Sequence, residues 1–231
     1  MLFRSAVKQP WRIALALLVD AIGEEQTLEI VDANKQSAWQ VDHLCVQRLL
    51  PLLSRNPLSL RTSSMGRLFD GVAALLCGIG HVSFEGEAAM RLEAVCDQHV
   101  QENYHFCVSG ESPCEMDWRP VVIELLADLA SRLPVRTIAM KFHRAIAECI
   151  VNVARRFPDF PVVLSGGVFQ NAVLLAELTR RLEVAGYAVL SPARVPANDG
   201  GLSLGQAVVA AAQTVTPTMK APSCASAFPA R

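Results

Sequence analysis

The chain has 231 residues, with 21 Lys+Arg against 22 Asp+Glu and a formal charge of −1. That balance argues against a dedicated nucleic-acid binder, which carries a basic surplus; it leaves a nucleotide ligand open, because a few backbone amides hold one phosphate. With 52% hydrophobic and 19% charged residues, the chain as a whole is not disordered, and it is long enough to bury a sizeable core across one or two domains.

At the N-terminus Arg4, Lys8 and Arg12 precede the apolar run Ile13 to Val19, an arrangement faintly like a secretory signal. The run is short and Asp20 closes it, so an amphipathic core helix over 10–22 is expected instead. No apolar run reaches the roughly 18 residues of a membrane span. Helices are expected over 39–54, 66–80, 87–103, 119–132 and 136–157. The signal is apolar residues at helical spacing, as in Leu68, Val72, Leu75 and Leu76, or Ile138, Phe142, Ile146, Ile150 and Val153. Residues 103–117 read as an irregular connection with turn signals at Gly110 and Pro113. The seven cysteines include no C-x-x-C pair, which fits reduced thiols in a cytoplasmic protein better than disulfides or a zinc knuckle. Cys45, Cys77, Cys96 and Cys149 sit in apolar helical patterns and read as small core residues.

The last third changes character. The β-branched run from Phe160 to Ser165 predicts a strand, Gly166-Gly167 a turn, and Val173, Leu174, Leu178 and Leu182 a helix ending near Gly186. A second strand over 187–190, another glycine turn and a final helix over 202–213 complete an α/β unit whose two strands should be parallel. The tail over 214–231 is rich in Ala, Pro, Ser and Thr and reads as disordered.

Three segments carry candidate chemistry. In Ser165-Gly-Gly-Val-Phe-Gln-Asn171 the glycines let backbone approach a ligand, and the next helix offers N–H groups to an anion. Asn171 reads either as a ribose or base contact or as a helix cap. In Asn198-Asp-Gly-Gly-Leu-Ser-Leu-Gly205, Asp199 is a hard oxygen donor for a cation or an N-cap. In Thr62-Ser-Ser-Met-Gly-Arg-Leu-Phe-Asp70 the hydroxyl cluster starts a helix and places Asp70 near Arg67; Gly86 lies in the turn Ser83 to Ala88 that opens the next helix. His143, inside an apolar helix, reads as a hydrogen-bonded core residue rather than a catalyst. No H-x-x-x-H, H-E-x-x-H or P-loop pattern occurs.

Lys8-Gln-Pro-Trp-Arg-Ile-Ala-Leu, Thr62 to Leu76, Phe84-Glu-Gly-Glu-Ala-Ala, Leu164-Ser-Gly-Gly-Val-Phe-Gln-Asn and Asn198 to Gln206 resemble, in wording and order, the C-terminal part of the HypF family of carbamoyltransferases. The resemblance runs from about residue 7 to 211. It implies an α/β fold: the second lobe of an actin/hexokinase-like nucleotide-binding fold with a large helical insertion. Residues 1–158 would be the mainly helical part and 159–213 the α/β nucleotide-binding subdomain. The implied reaction uses ATP and carbamoyl phosphate, through carbamoyl-adenylate, to carbamoylate the C-terminal cysteine of a HypE-type partner, on the way to a cyanide ligand of nickel–iron hydrogenase. Matching positions imply that Asp70 and Gly86 or Glu87 contact or flank the nucleotide sugar, and that Gly166, Gly167 and Asn171 hold the nucleotide. Asp199 would be a ligand of a divalent metal, zinc or iron. Neither a membrane nor a nucleic acid is an expected partner. The family's upstream paired cysteines and histidine-rich metal motif do not occur in these 231 residues. The sequence is therefore expected to be one half of a two-lobed clamp, without the domain that consumes ATP. The rival readings are a relative of the tRNA threonylcarbamoyladenosine transferases, or a non-catalytic fragment that binds a partner chain.

Overall fold

The computed structural model describes residues 2–33, 43–55, 62–110 and 113–215. In chain order the elements are α1 (Leu2–Lys8), α2 (Pro10–Ile22), α3 (Glu24–Ala33), α4 (His43–Arg55), α5 (Met65–Cys77), α6 (Glu87–Ala94), β1 (Cys107–Ser109), β2 (Glu115–Asp117), α7 (Arg119–Ala130), α8 (Val135–Ala154), β3 (Val162–Val163), α9 (Ala172–Val184), β4 (Val189–Leu190) and α10 (Leu202–Val215).

The apolar stripe of α2 faces inward: Trp11, Ala14, Leu15, Leu17 and Leu18 are buried, as a core helix requires and a cleaved leader would not. α5 crosses α2 closely at Gly71, where a Cβ would lie 2.4 Å from Leu17 Cδ1 and 3.0 Å from Ile13 Cγ2. One core cluster joins Phe69, Val72 and Leu76 of α5 to Leu125 of α7, Phe142 and Ile146 of α8, and Leu174, Leu178 and Leu182 of α9. Phe69 and Phe142 meet edge to face at 5.1 Å within it. Trp11 and Leu15 of α2 form a smaller cluster with Val46 and Leu50 of α4. The α8–α9 seam also carries charge: Glu177 pairs with the Arg144 guanidinium at 2.8 Å and accepts from Arg181 Nε at 2.7 Å.

β3 and β4 pair in parallel, Val162 with Val189 and Val163 with Leu190, and the helix α9 forms the crossover. Several expectations need correction. The helix expected over 87–103 ends at Ala94, because the Asp97 N–H donates to the Arg136 carbonyl at 3.2 Å and draws the chain onto the start of α8. The connection over 103–117 holds an antiparallel hairpin, β1 with β2, registered Cys107 to Asp117 and Ser109 to Glu115. Helices α1 and α3 were not foreseen. The last helix continues through Thr214, whose hydroxyl donates to the Ala211 carbonyl at 2.7 Å. Of the expected helix over 39–54, residues 39–42 lie outside the described residues, as does 216–231 of the expected tail.

Candidate functional site

Asp70 is buried on the inner side of α5. Arg67, one turn earlier, donates through Nη1 to Asp70 Oδ2 at 2.6 Å and through Nη2 to Glu85 Oε1 at 3.1 Å. Burial pushes the Asp70 pKa up to about 6 against the pull of the Arg67 guanidinium. A carboxylate kept in so unfavourable a place is the kind of group functional sites contain.

Gly86 holds φ 86°, and a Cβ there would meet nothing within 4 Å. Glu87, the next residue, closes its own turn: it accepts from the Ser83 amide at 2.6 Å, the Ser83 hydroxyl at 3.0 Å and Arg91 at 2.5 Å. Those bonds, the Ser83 amide first, hold its pKa below the usual carboxylate range.

The first glycine turn leaves β3 and winds into a 3-10 turn, Gly167–Gln170, before α9. Gly166 has φ 113°, a conformation that strains any residue with a Cβ. Its amide donates to the Ala197 carbonyl at 2.7 Å, and this bond draws the first turn against the loop leading into the second. A Cβ on Gly167 would point into space bounded only by Asn198 Cβ at 3.9 Å. Gly201 in the second turn has no such room, since its Cβ would lie 2.8 Å from the Pro196 carbonyl oxygen. α5 packs against the 3-10 turn, so the structure brings together the helix that bears Asp70 and the first glycine turn.

Asn171 is the N-cap of α9: its Oδ1 accepts from the Leu174 amide at 2.8 Å. Its Nδ2 donates to His143 Nε2 at 2.9 Å. The Ala172 amide donates to Glu93 Oε1 of α6 at 2.7 Å. The start of α9 is therefore not an open anion cradle, which corrects the sequence expectation. Two of its N–H groups are taken by the protein's own groups, and one of those is already a carboxylate.

Asp199 lies exposed in a one-turn 3-10 segment, where Asn198 supplies the cap by accepting from the Gly200 amide at 3.0 Å. Among the described residues no group of three or more His, Cys, Asp or Glu side chains is placed to hold a metal ion. Glu93 and His143 are the two neighbours of the turn that spacing did not reveal as part of it. They lie 79 and 28 residues from the atoms they bind. For His143 the only local sign was a polar residue inside an apolar helix.

Residues 4–206 match the family described as carbamoyltransferase, Kae1-like domain, second subdomain, and the chain belongs to that family. It is 36% identical over 214 residues to the carbamoyltransferase HypF of Synechocystis, covering 88% of this chain and 28% of that protein. It is 44% identical over 211 residues to the carbamoyltransferase HypF of Rhodobacter capsulatus, covering 89% of this chain and 26% of that one. A crystal structure of full-length HypF in the phosphate- and nucleotide-bound form superposes with TM-score 0.80 at 32% identity, covering 94% of this chain and 28% of that one. The HypF of T. kodakarensis, at 23% identity and TM-score 0.77 over 89% of this chain and 28% of that one, shares the fold. The chain thus spans little more than a quarter of the length of these relatives. Its helix-rich α/β fold is like that of the HypF structures. Among the described residues no helix is long and apolar enough to cross a membrane.

Proposed function

We propose that this chain is the nucleotide-holding half of a HypF-type carbamoyltransferase, built as the second lobe of an actin/hexokinase-like fold. The complete enzyme forms carbamoyl-adenylate from ATP and carbamoyl phosphate in another domain. The carbamoyl carbon then passes to the sulfur of the C-terminal cysteine of a HypE-type partner; its bond to the adenylate oxygen breaks and AMP leaves. The product serves cyanide-ligand synthesis in [NiFe]-hydrogenase maturation, in the cytoplasm.

The observation that carries this reading is the open space above Gly167, bounded by the second turn and held there by the Gly166–Ala197 hydrogen bond. Backbone without side chains approaches a phosphate or sugar closely there. Asp70, buried and short of donors, accepts the sugar hydroxyls; hydrogen bonds to a buried carboxylate recover part of its desolvation cost. Gly86 gives that sugar clearance, and Glu87 holds the adjoining turn in shape. Gly166, Gly167 and Asn171 face the rest of the nucleotide. A bound zinc takes three or four protein ligands. Among the described residues Asp199 is a single exposed carboxylate with no further ligands grouped beside it, so these residues do not fit a metal by themselves.

The test is Gly167→Val. The added side chain enters open space, so the melting temperature should not change, while ATP binding followed by NMR shifts of the full chain should weaken by about tenfold, about 1.4 kcal/mol. Wild-type affinity in the variant would reduce the turn to an architectural feature.

A further inference from the structure

The hydrogen bonds around His143 have only one consistent direction. Its Nδ1 lies 2.8 Å from the Ala139 carbonyl oxygen, which can only accept, so Nδ1 carries the proton. Nε2 is then a bare lone pair, and it receives the Asn171 Nδ2 proton at 2.9 Å. The Asn171 orientation agrees from its other end, because Oδ1 must accept from the Leu174 amide. The Cys96 sulfur, 3.3 Å from Nδ1, passes its own proton toward the Leu92 carbonyl. A directed chain of donors therefore runs from the Leu174 amide through Asn171 to His143 and ends at the Ala139 carbonyl of α8. Phe69 and Phe142 pack edge-on against the imidazole at 5.2 and 6.0 Å and fix its plane. The ring is fully buried, and burial pushes its pKa down to about 4, which keeps it neutral.

We propose that His143 is a positioning residue for the nucleotide turn: its Nε2 lone pair holds the Asn171 amide in one orientation, so that the remaining Asn171 N–H and carbonyl lone pair form a fixed donor–acceptor pair for the ligand. Without an acceptor at Nε2, only the bond from the Leu174 amide resists a flip of the side-chain amide. A flipped amide turns its NH2 toward the Leu174 N–H, loses the cap and presents the reversed pair. This inference rests on the nucleotide reading of the turn.

Three variants of the full chain separate the two. His143→Phe keeps an aromatic ring among Phe69 and Phe142 but removes the acceptor. His143→Gln places an amide oxygen three bonds from Cβ, where Nε2 stands, and restores it. Asn171→Ala removes the amide. ATP is the probe, titrated by NMR, with melting temperatures measured in parallel. Asn171→Ala and His143→Phe should each weaken ATP binding by about tenfold, His143→Gln should stay within about threefold of wild type, and His143→Phe combined with Asn171→Ala should be no worse than Asn171→Ala alone. If Asn171→Ala binds ATP like wild type, the nucleotide reading fails. If Asn171→Ala loses binding and His143→Phe does not, that reading stands and the positioning role is overturned. Should His143→Phe fail to fold, the imidazole 15N spectrum of the wild-type chain decides. A neutral ring protonated at Nδ1 is the expected result, and an Nε2-protonated or charged ring overturns the proposal.

Discussion

Replacing Asp70 by Asn should stabilise the chain at neutral pH, and the gain should vanish in acid. Burial raises the Asp70 pKa from 3.8 to about 6. That shift of about 2 units corresponds to about 3 kcal/mol between the two protonation states. Between those two pH values the folded chain binds the proton more tightly than the unfolded chain does. Stability therefore falls as pH rises through that window, and the whole penalty stands above it. Asparagine does not ionise, and its carbonyl oxygen still accepts from Arg67, which also keeps Glu85 at 3.1 Å. At about pH 7.5 Asp70→Asn should be more stable than wild type by up to about 3 kcal/mol, and at about pH 4 the difference should approach zero. Urea unfolding of both chains across that range measures it, with midpoint and slope read together. Comparing variant with wild type cancels every other titrating group. A difference that does not change with pH, or a variant less stable than wild type at neutral pH, would refute the placement of a buried, costly carboxylate. ATP affinity should fall in the same variant, the usual exchange of stability for function at a binding site.

Phe142→Ala empties a fully buried position that contacts Phe69 at 5.1 Å, and should cost about 3–5 kcal/mol in urea unfolding; a loss under about 1 kcal/mol would mean that α5 and α8 do not share a packed core. α10 exposes Leu204 and Val208, 54% and 59% accessible and one turn apart, and the parallel strands expose Val163 and Leu190. The 231-residue chain should therefore self-associate in sedimentation velocity and become more nearly monomeric as Leu204→Glu/Val208→Glu. A monomeric wild type would count against an apolar face that needs cover.

The legible parts of this fold are those that local patterns encode. Phe142, Ile146 and Ile150 repeat at helical spacing and mark α8, and the β-branched run before Gly166 marks β3. The hairpin was not legible, because Cys107–Ser109 and Glu115–Asp117 are three residues each and bury none of them fully, and the one apolar pair, Val108 with Met116, is too short an alternation to read. The overlong reading of α6 failed for a tertiary reason: nothing in residues 95–103 announces that the Asp97 amide will find a carbonyl on α8. The site divides in the same way. Its glycine turns are local and readable. The bonds that set them in place, Gly166 to Ala197, Ala172 to Glu93 and Asn171 to His143, join segments that only the fold brings together.

At Asn171 the cap does not exclude the proposed ligand contact. A side-chain amide has two N–H donors and an oxygen with two lone pairs. Capping the Leu174 amide takes one lone pair, and His143 takes one proton. One donor and one acceptor remain, held by a ring that is itself wedged between two phenylalanines. Immobilising a side chain costs rotamer entropy on binding, so a residue already fixed by its structural bonds meets a ligand with less left to lose. The capping role is therefore compatible with the proposed binding role. The same logic extends to α6, whose Glu93 ties the start of α9 to the helix opened by Gly86 and Glu87. A ligand resting on both segments would meet two walls already fastened to each other.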